Sequence, residues 1–224
     1  PVSLLPVASK ILEEAVRKQV SSYFEKNKLL PNEQHGFRPS RSTTSALLSL
    51  QHKLIQAREK GDTSVTLLWD LSAAFDTLDH SIFLGKLRSY GFNEESRKWF
   101  CSYLKDRQQY VDVSGTTSSV KKTPRGSPQG AICSPLIFTI YIADMPLWTR
   151  DSSIMSYADD TSTTISRPEI EDALQRTEED AQRMMAFMNT NYLVANASKT
   201  KLIIFRPRHN NTDKRESVKI GSTM

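Results

Sequence analysis

The stretch SYADDTSTTIS, Ser156 to Ser166, sets two aspartates side by side between an apolar segment, SSIMSY, and a run of β-branched and hydroxyl residues. Two β-rich segments meeting at so short a polar junction predict a β-hairpin with Asp159 and Asp160 at its turn. Adjacent carboxylates repel when both are ionised. They persist either fully solvated at an exposed turn or neutralised by a cation. The hairpin alone does not choose between these readings, and an exposed turn is the commoner fate of such a pair.

A second acidic position narrows the choice. SVTLLWD, Ser64 to Asp70, is a short β-rich run after the Gly61-Asp62 turn, and it stops on a carboxylate. If this strand lies beside the hairpin in one sheet, Asp70 comes next to Asp159 and Asp160. Three carboxylates so placed can surround two divalent cations about 3.5–4 Å apart, an arrangement suited to phosphoryl transfer. Oxygen ligands alone select Mg²⁺ over zinc, and the four scattered histidines form no zinc pattern.

The rest of the chain supplies a mixed α and β framework. ASKILEEAVRKQVSSYFEKN carries Ile11, Leu12, Ala15, Val16, Val20, Tyr23 and Phe24 at the spacing of an amphipathic helix packed on a core. LLPNEQHGFRPSRST, Leu29 to Thr43, is a loop by its Pro31, Gly36 and Pro39, and leads into a helix over 44–59. Helices follow over 81–90 and 94–105. QYVDV and SVKKT then form a hairpin about a Gly-containing turn, PRGSPQGAICSP is a loop, and 136–144 is a buried helix or strand, of which helix is the preferred reading. A long helix after the Asp159 hairpin bears the stripe Ile170, Leu174, Thr177, Ala181, Met184, Met185 and Met188, its methionines filling the core. KTKLIIF is a strand, and RPRHNNTDKRES is a polar connector before VKIGSTM. There is no internal repeat, and no linker before Arg206 divides the chain.

Composition restricts the partners. A net charge of +5, from 30 Lys and Arg against 25 Asp and Glu, is compatible with a polyanionic partner without requiring one. Cys101 and Cys133 lie among bulky apolar residues and read as reduced, buried thiols of an intracellular protein. The most apolar run, PLIFTIYIADM, is too short to span a bilayer, and no signal-peptide pattern opens the chain.

Five blocks in order carry a resemblance: HGFRPSRST, LWDLSAAFDTLDH, GSPQGAICSPLIFTIYIADM, YADD and NASKTKLIIF, with PVSLLPVASKILE ahead of them. Together they resemble the reverse transcriptase domain of non-LTR, LINE-type, jockey-like retrotransposons, from Pro1 to about Phe205. The resemblance implies an α+β right-hand polymerase fold with fingers and an antiparallel palm sheet flanked by helices. It implies a partial fingers region over 1–62, a palm with remaining fingers elements over 63–206, and over 207–224 a polar connector with a truncated start of the primer-grip segment, without a thumb. The implied activity is template-directed addition of dNTPs to a primer 3′-hydroxyl, with Mg²⁺ as cofactor and Mn²⁺ as a substitute. RNA template, DNA primer and dNTPs are the implied partners, in nucleus and cytoplasm, with no membrane role.

The same resemblance assigns roles to residues. Asp70 and Asp159 become principal metal ligands and Asp160 a supporting acid, with the backbone at Leu71 facing the metals and triphosphate. Ala74 and Phe75 lie at the nucleotide, Phe75 as an aromatic gate excluding a ribose 2′-hydroxyl. Gln129 contacts the nucleotide and Gly130 permits close backbone approach. Lys199 is implied to protonate pyrophosphate, and Arg38 and Arg41 to approach template backbone or triphosphate. Where the family commonly has GVPQGSVLSP this chain has GSPQGAICSP, which leaves Gln129 and Gly130 in place. Two other readings stand beside this one. A viral RNA-dependent RNA polymerase would carry Gly-Asp-Asp and a polar residue in place of Phe75, and a domesticated fragment would bind RNA through a basic surface without polymerising.

Overall fold

The computed structural model describes residues 5–72, 74–196, 198–207 and 217–218. Most of the expected connector and the segment VKIGSTM therefore lie outside the described residues. In chain order, helices α1 (Val7–Lys26) and α2 (Thr43–Glu59) precede strand β1 (Thr63–Trp69). A two-residue strand β2 (Leu71–Ser72) and the single-turn α3 (Ala74–Thr77) lead to α4 (His80–Ser89) and α5 (Glu94–Leu104). The expected hairpin is present as two short ladders: β3 (Gln108–Gln109) pairs with β6 (Lys121–Lys122), and β4 (Asp112–Val113) with β5 (Thr116–Thr117). Then follow α6 (Ser134–Tyr141), a 3₁₀ turn (Met145–Leu147), the hairpin β7 (Ser153–Tyr157) and β8 (Asp160–Arg167), α7 (Ile170–Thr190), β9 (Val194–Ala195) and β10 (Lys201–Phe205).

The main sheet is antiparallel, in the order β10-β1-β8-β7. β1 is thus central and pairs with the second strand of the hairpin. β8 buries five consecutive residues despite its hydroxyl-rich sequence. Partners across the strands explain this: Ser64 meets Ser166 at 2.8 Å, Thr66 meets Thr164 at 2.9 Å, and the Trp69 indole N–H donates to Thr163 at 3.0 Å. Each hydroxyl that leaves water finds a protein partner. Register follows from these pairs, with Trp69 opposite Thr161.

The core gathers Leu67 and Trp69 from β1 with Phe24, Phe83, Phe100, Phe138, Tyr141, Met184 and Phe187 from helices α1, α4, α5, α6 and α7. Met184 and Met188 are fully buried, as core filler should be. α1 departs from the expected stripe. Ile11 and Leu12 are 70% and 55% exposed, whereas Val20 and Phe24 are buried and Glu13 is buried with them. The phase that packs runs Glu13, Val16, Val20, Phe24, which places the Ile11-Leu12 pair on the outer side. Cys133 is buried, but Cys101 is exposed, contrary to its expectation: on α5 it lies outside the face that buries Phe100 and Leu104. Among the described residues no helix is long and apolar enough to cross a membrane.

Candidate active site

The site forms where β1 ends. Asp70 directly follows Trp69, and the β1–β8 register carried one step further puts Asp70 opposite Asp160. The backbone of Asp70 is fixed from the other side, because its carbonyl accepts from the Asn196 N–H at 2.7 Å and Leu71 pairs with Ala195. Two-residue strands such as β2 and β9 carry too little pattern to be read from sequence, yet they bring Lys199 beside Asp70, with Nζ 4.0 Å from Oδ2.

The β7–β8 turn consists of Ala158 and Asp159, since Tyr157 pairs with Asp160. Ala158 has φ 58°, a left-handed conformation that costs about 1–2 kcal/mol for a residue with a Cβ. A neighbouring segment holds it there. Glu33 to Gly36 run alongside β7, with the His35 N–H donating to the Ser156 carbonyl at 2.8 Å and the Ser156 N–H to the Glu33 carbonyl at 2.9 Å. A Cβ on Gly36 would sit 2.2 Å from the Ala158 nitrogen, so only glycine lets this loop close on the turn.

A cavity of about 500 Å³, within the range of small-molecule sites, opens beside the turn. One wall is Leu71, Ala74 and Phe75, the opposite wall is Gln129 to Ile132 with Ser134 and Pro135, and Asp159 also lines it. Phe75 lines this space and packs its ring against core Phe138, centroids 4.6 Å apart and planes tilted by 32°. Gly130 has φ 86°. The walls are tied together: the Gly126 N–H donates to the Leu78 carbonyl (2.7 Å) and the Ser127 N–H to the Phe75 carbonyl (2.9 Å). Gln129 donates from Nε2 to both carboxylate oxygens of Asp76, at 2.9 and 2.8 Å. Asp76 was not among the residues singled out from sequence, although it follows the candidate gate directly.

Charge accumulates at the turn. The Asp160 carboxyl, though exposed, titrates above the usual carboxylate range because neighbouring protein atoms partly desolvate it and because Asp159 and Asp70 add like charge. The three carboxylates are near enough to feel one another but are not clustered: among the described residues no group of three or more His, Cys, Asp or Glu side chains stands within range of one metal ion. The geometry accounts for this. Asp159 lies in the turn, Asp160 opens β8, and Asp70 stands beside Lys199.

The two arginines of HGFRPSRST are not equivalent. Arg38 is turned inward, its side chain 7% exposed, forming a two-point pair with Glu25 (2.8 and 2.7 Å) and donating to the Pro31 and Gln34 carbonyls. It holds the loop that supports the Asp159 turn, and the expectation of a phosphate contact does not fit a guanidinium so occupied. Arg41 donates to the Asn32 carbonyl and side chain at 2.7 and 3.3 Å and stays partly exposed.

A strand that ends in a carboxylate thus lies against a hairpin turn with two more, beside a largely apolar cavity. The comparisons assign the family: the model described as reverse transcriptase (RNA-dependent DNA polymerase) matches residues 1–220, and the chain belongs to this family. Among curated relatives, the RNA-directed DNA polymerase from mobile element jockey of Drosophila melanogaster is 31% identical over 169 residues, 72% of this chain and 18% of the relative. The probable RNA-directed DNA polymerase from transposon BS of the same species is 27% identical over 89% of this chain and 23% of the relative. The chain thus spans about a fifth of the length of these relatives. A solved telomerase from Candida tropicalis shares the fold, with TM-score 0.63 and 14% identity over 92% of this chain and 35% of that one.

Proposed function

We propose that this chain is the catalytic core of a retrotransposon RNA-directed DNA polymerase, adding dNTPs to the 3′-hydroxyl of a DNA primer paired with an RNA template. The observation that carries the reading is one cavity lined jointly by Phe75, Gln129, Gly130 and Asp159, at the end of the strand that delivers Asp70. In this reading the four-stranded sheet is the palm, and α1 and α2 belong to the fingers.

Asp70 and Asp159 are the residues that would hold Mg²⁺, or Mn²⁺ in its place, with Asp160 beside them and the Leu71 backbone at the same edge. The donor set fits a hard cation, since it is all oxygen and its like charges are ones a cation would offset. A bound cation there supplies activation of the attacking hydroxyl and charge compensation for the leaving pyrophosphate. The chain's own side chains orient the nucleotide: Ala74 and Phe75 flank the sugar, Gln129 and Gly130 the opposite side. Lys199, beside Asp70, is the proton donor to pyrophosphate. Arg41 is the remaining candidate of its loop for a phosphate contact.

Phe75 makes the reading testable. With the ring against the sugar, a 2′-hydroxyl collides with it, and Phe75→Val opens space. The variant is expected to raise ribonucleotide over deoxynucleotide incorporation in the ratio of kcat/KM values, with a smaller effect on dNTPs. An unchanged ratio in a folded, active enzyme makes Phe75 a core residue only, and a wild-type preference for NTPs replaces the reading with an RNA polymerase.

A further inference from the structure

We infer that Glu13, on α1, is a positioning residue for nucleotide binding, holding the loop that presents Gln129 and Gly130 to the cavity. The inference rests on the nucleotide reading of that cavity. Glu13 is 1% exposed although it carries a carboxylate. Its Oε2 accepts from the backbone N–H of Ile132 at 2.7 Å and of Cys133 at 3.2 Å, and its Oε1 accepts from the Ser9 hydroxyl at 2.8 Å. The Cys133 thiol donates in turn to the Glu13 carbonyl at 3.3 Å. One residue of α1 is therefore bonded to the loop through both its side chain and its backbone.

The position of these bonds gives them their consequence. Ile132 lines the cavity, and Cys133 is the N-cap of α6, so the carboxylate takes up the N-cap amide of that helix and the amide just before it. A negative charge is favoured there by the helix dipole, and a charge-assisted bond to an amide is roughly twice as strong as a neutral one. The other end of the loop is anchored independently, through the Gly126 and Ser127 amides to the α3 region. Pro128 to Ala131 lie between these two ends, braced further by the Gln129–Asp76 bonds and by the Ser134 hydroxyl on the Pro128 carbonyl, and Glu13 is the hold at the Ile132 end. Without the carboxylate the amides of Ile132 and Cys133 lose their acceptor in a water-poor site, and the loop must move to recover one.

The test is equilibrium binding of dTTP in the presence of Mg²⁺, well below the melting temperature, to the wild-type chain and to Glu13→Ala, Glu13→Asp and Glu13→Gln. Glu13→Ala is expected to weaken dTTP binding about tenfold, the cost of roughly one charged hydrogen bond. Glu13→Gln, which keeps an acceptor oxygen of the same reach, stays within about threefold. Glu13→Asp keeps the charge but is one methylene short, and it weakens binding like the alanine variant, which decides the matter should Glu13→Ala not fold. The rise in Tm caused by Mn²⁺, which reports Asp70 and Asp159, is unchanged in all folded variants. If Glu13→Ala, or in its place Glu13→Asp, is less stable but binds dTTP as the wild type does, Glu13 is structural only and the inference is overturned. If the wild type itself fails to bind dTTP, the nucleotide reading of the cavity falls and takes this inference with it.

Discussion

Gly36→Ala is the substitution that most directly probes how the Asp159 turn is built. The added Cβ would lie 2.2 Å from the backbone nitrogen of Ala158, 3.0 Å from its Cα and 3.0 Å from the Tyr157 carbonyl carbon. All three are backbone atoms, so no rotamer change relieves the overlap. Ordinary contact requires the loop and the turn to separate by about 1 Å. That movement strains or breaks the His35–Ser156 and Ser156–Glu33 backbone bonds, each contributing about 0.5–1.5 kcal/mol. Keeping them instead incurs overpacking of about 1–3 kcal/mol. Either route costs about 2–3 kcal/mol, a fall in Tm of roughly 5–10 °C for a domain of this size. Because the turn carries Asp159, a shift of that size also misplaces a candidate ligand, and a displacement of about 1 Å can reduce a rate about 100-fold. Thermal unfolding followed by circular dichroism reads the first effect. Gly85→Ala is the control: its Cβ meets nothing within 4 Å and sits inside α4, so it should stabilise by about 1 kcal/mol. A Gly36→Ala protein that melts with the wild type would refute the claim that residues 33–36 brace the turn.

Two further outcomes follow from buried groups. Burial pushes the Asp180 carboxyl up, but its bonds from the Arg150, Asp151 and Ser152 amides and Arg183 outweigh this, and its titration lies below the usual carboxylate range. Asp180→Asn should lose about 2–3 kcal/mol at pH 6 by denaturant titration. Since the folded pKa is depressed, that stabilisation is present above the unfolded value near 3.9 and disappears as pH falls through the folded one, so the gap between the two proteins should close in acid. The Cys133 thiol is pushed up to about 12 by burial and the nearby Glu13, whereas Cys101 is exposed. Iodoacetamide should therefore modify Cys101 in the native chain and reach Cys133 only on unfolding, as mass spectrometry of the alkylated peptides would record.

Most of the sheet was legible because its strands are bounded by turn residues and carry β-branched runs, and the carboxylates at their ends mark where β1 and the hairpin meet. The cavity was legible only through the sequence blocks, since nothing in SPQG alone places it against Phe75. What escaped shares one physical cause. Glu13 and Asp180 both sit in phase with the buried stripe of their helices, but residue type suggests exposure, so neither was taken as core. Each in fact accepts consecutive amides from a loop leading to the site, Glu13 at Ile132 and Cys133, Asp180 at the approach to β7. Their long-range partners are backbone groups, which sequence does not display. Arg38 misled for the converse reason: an arginine between prolines in a polar loop gives no sign that Glu25, thirteen residues earlier, will capture it.

The central claim is that Asp70 and Asp159 together serve one polymerising site. Primer extension on an RNA template with dNTPs and Mg²⁺ tests it most directly, comparing wild type, Asp70→Asn and Asp159→Asn. The account predicts that wild type extends the primer, that either substitution reduces extension at least about 1,000-fold, and that the double variant is hardly worse than either alone, because residues acting as a unit are not additive. Extension by Asp159→Asn at the wild-type rate, with the variant still folded, would contradict it.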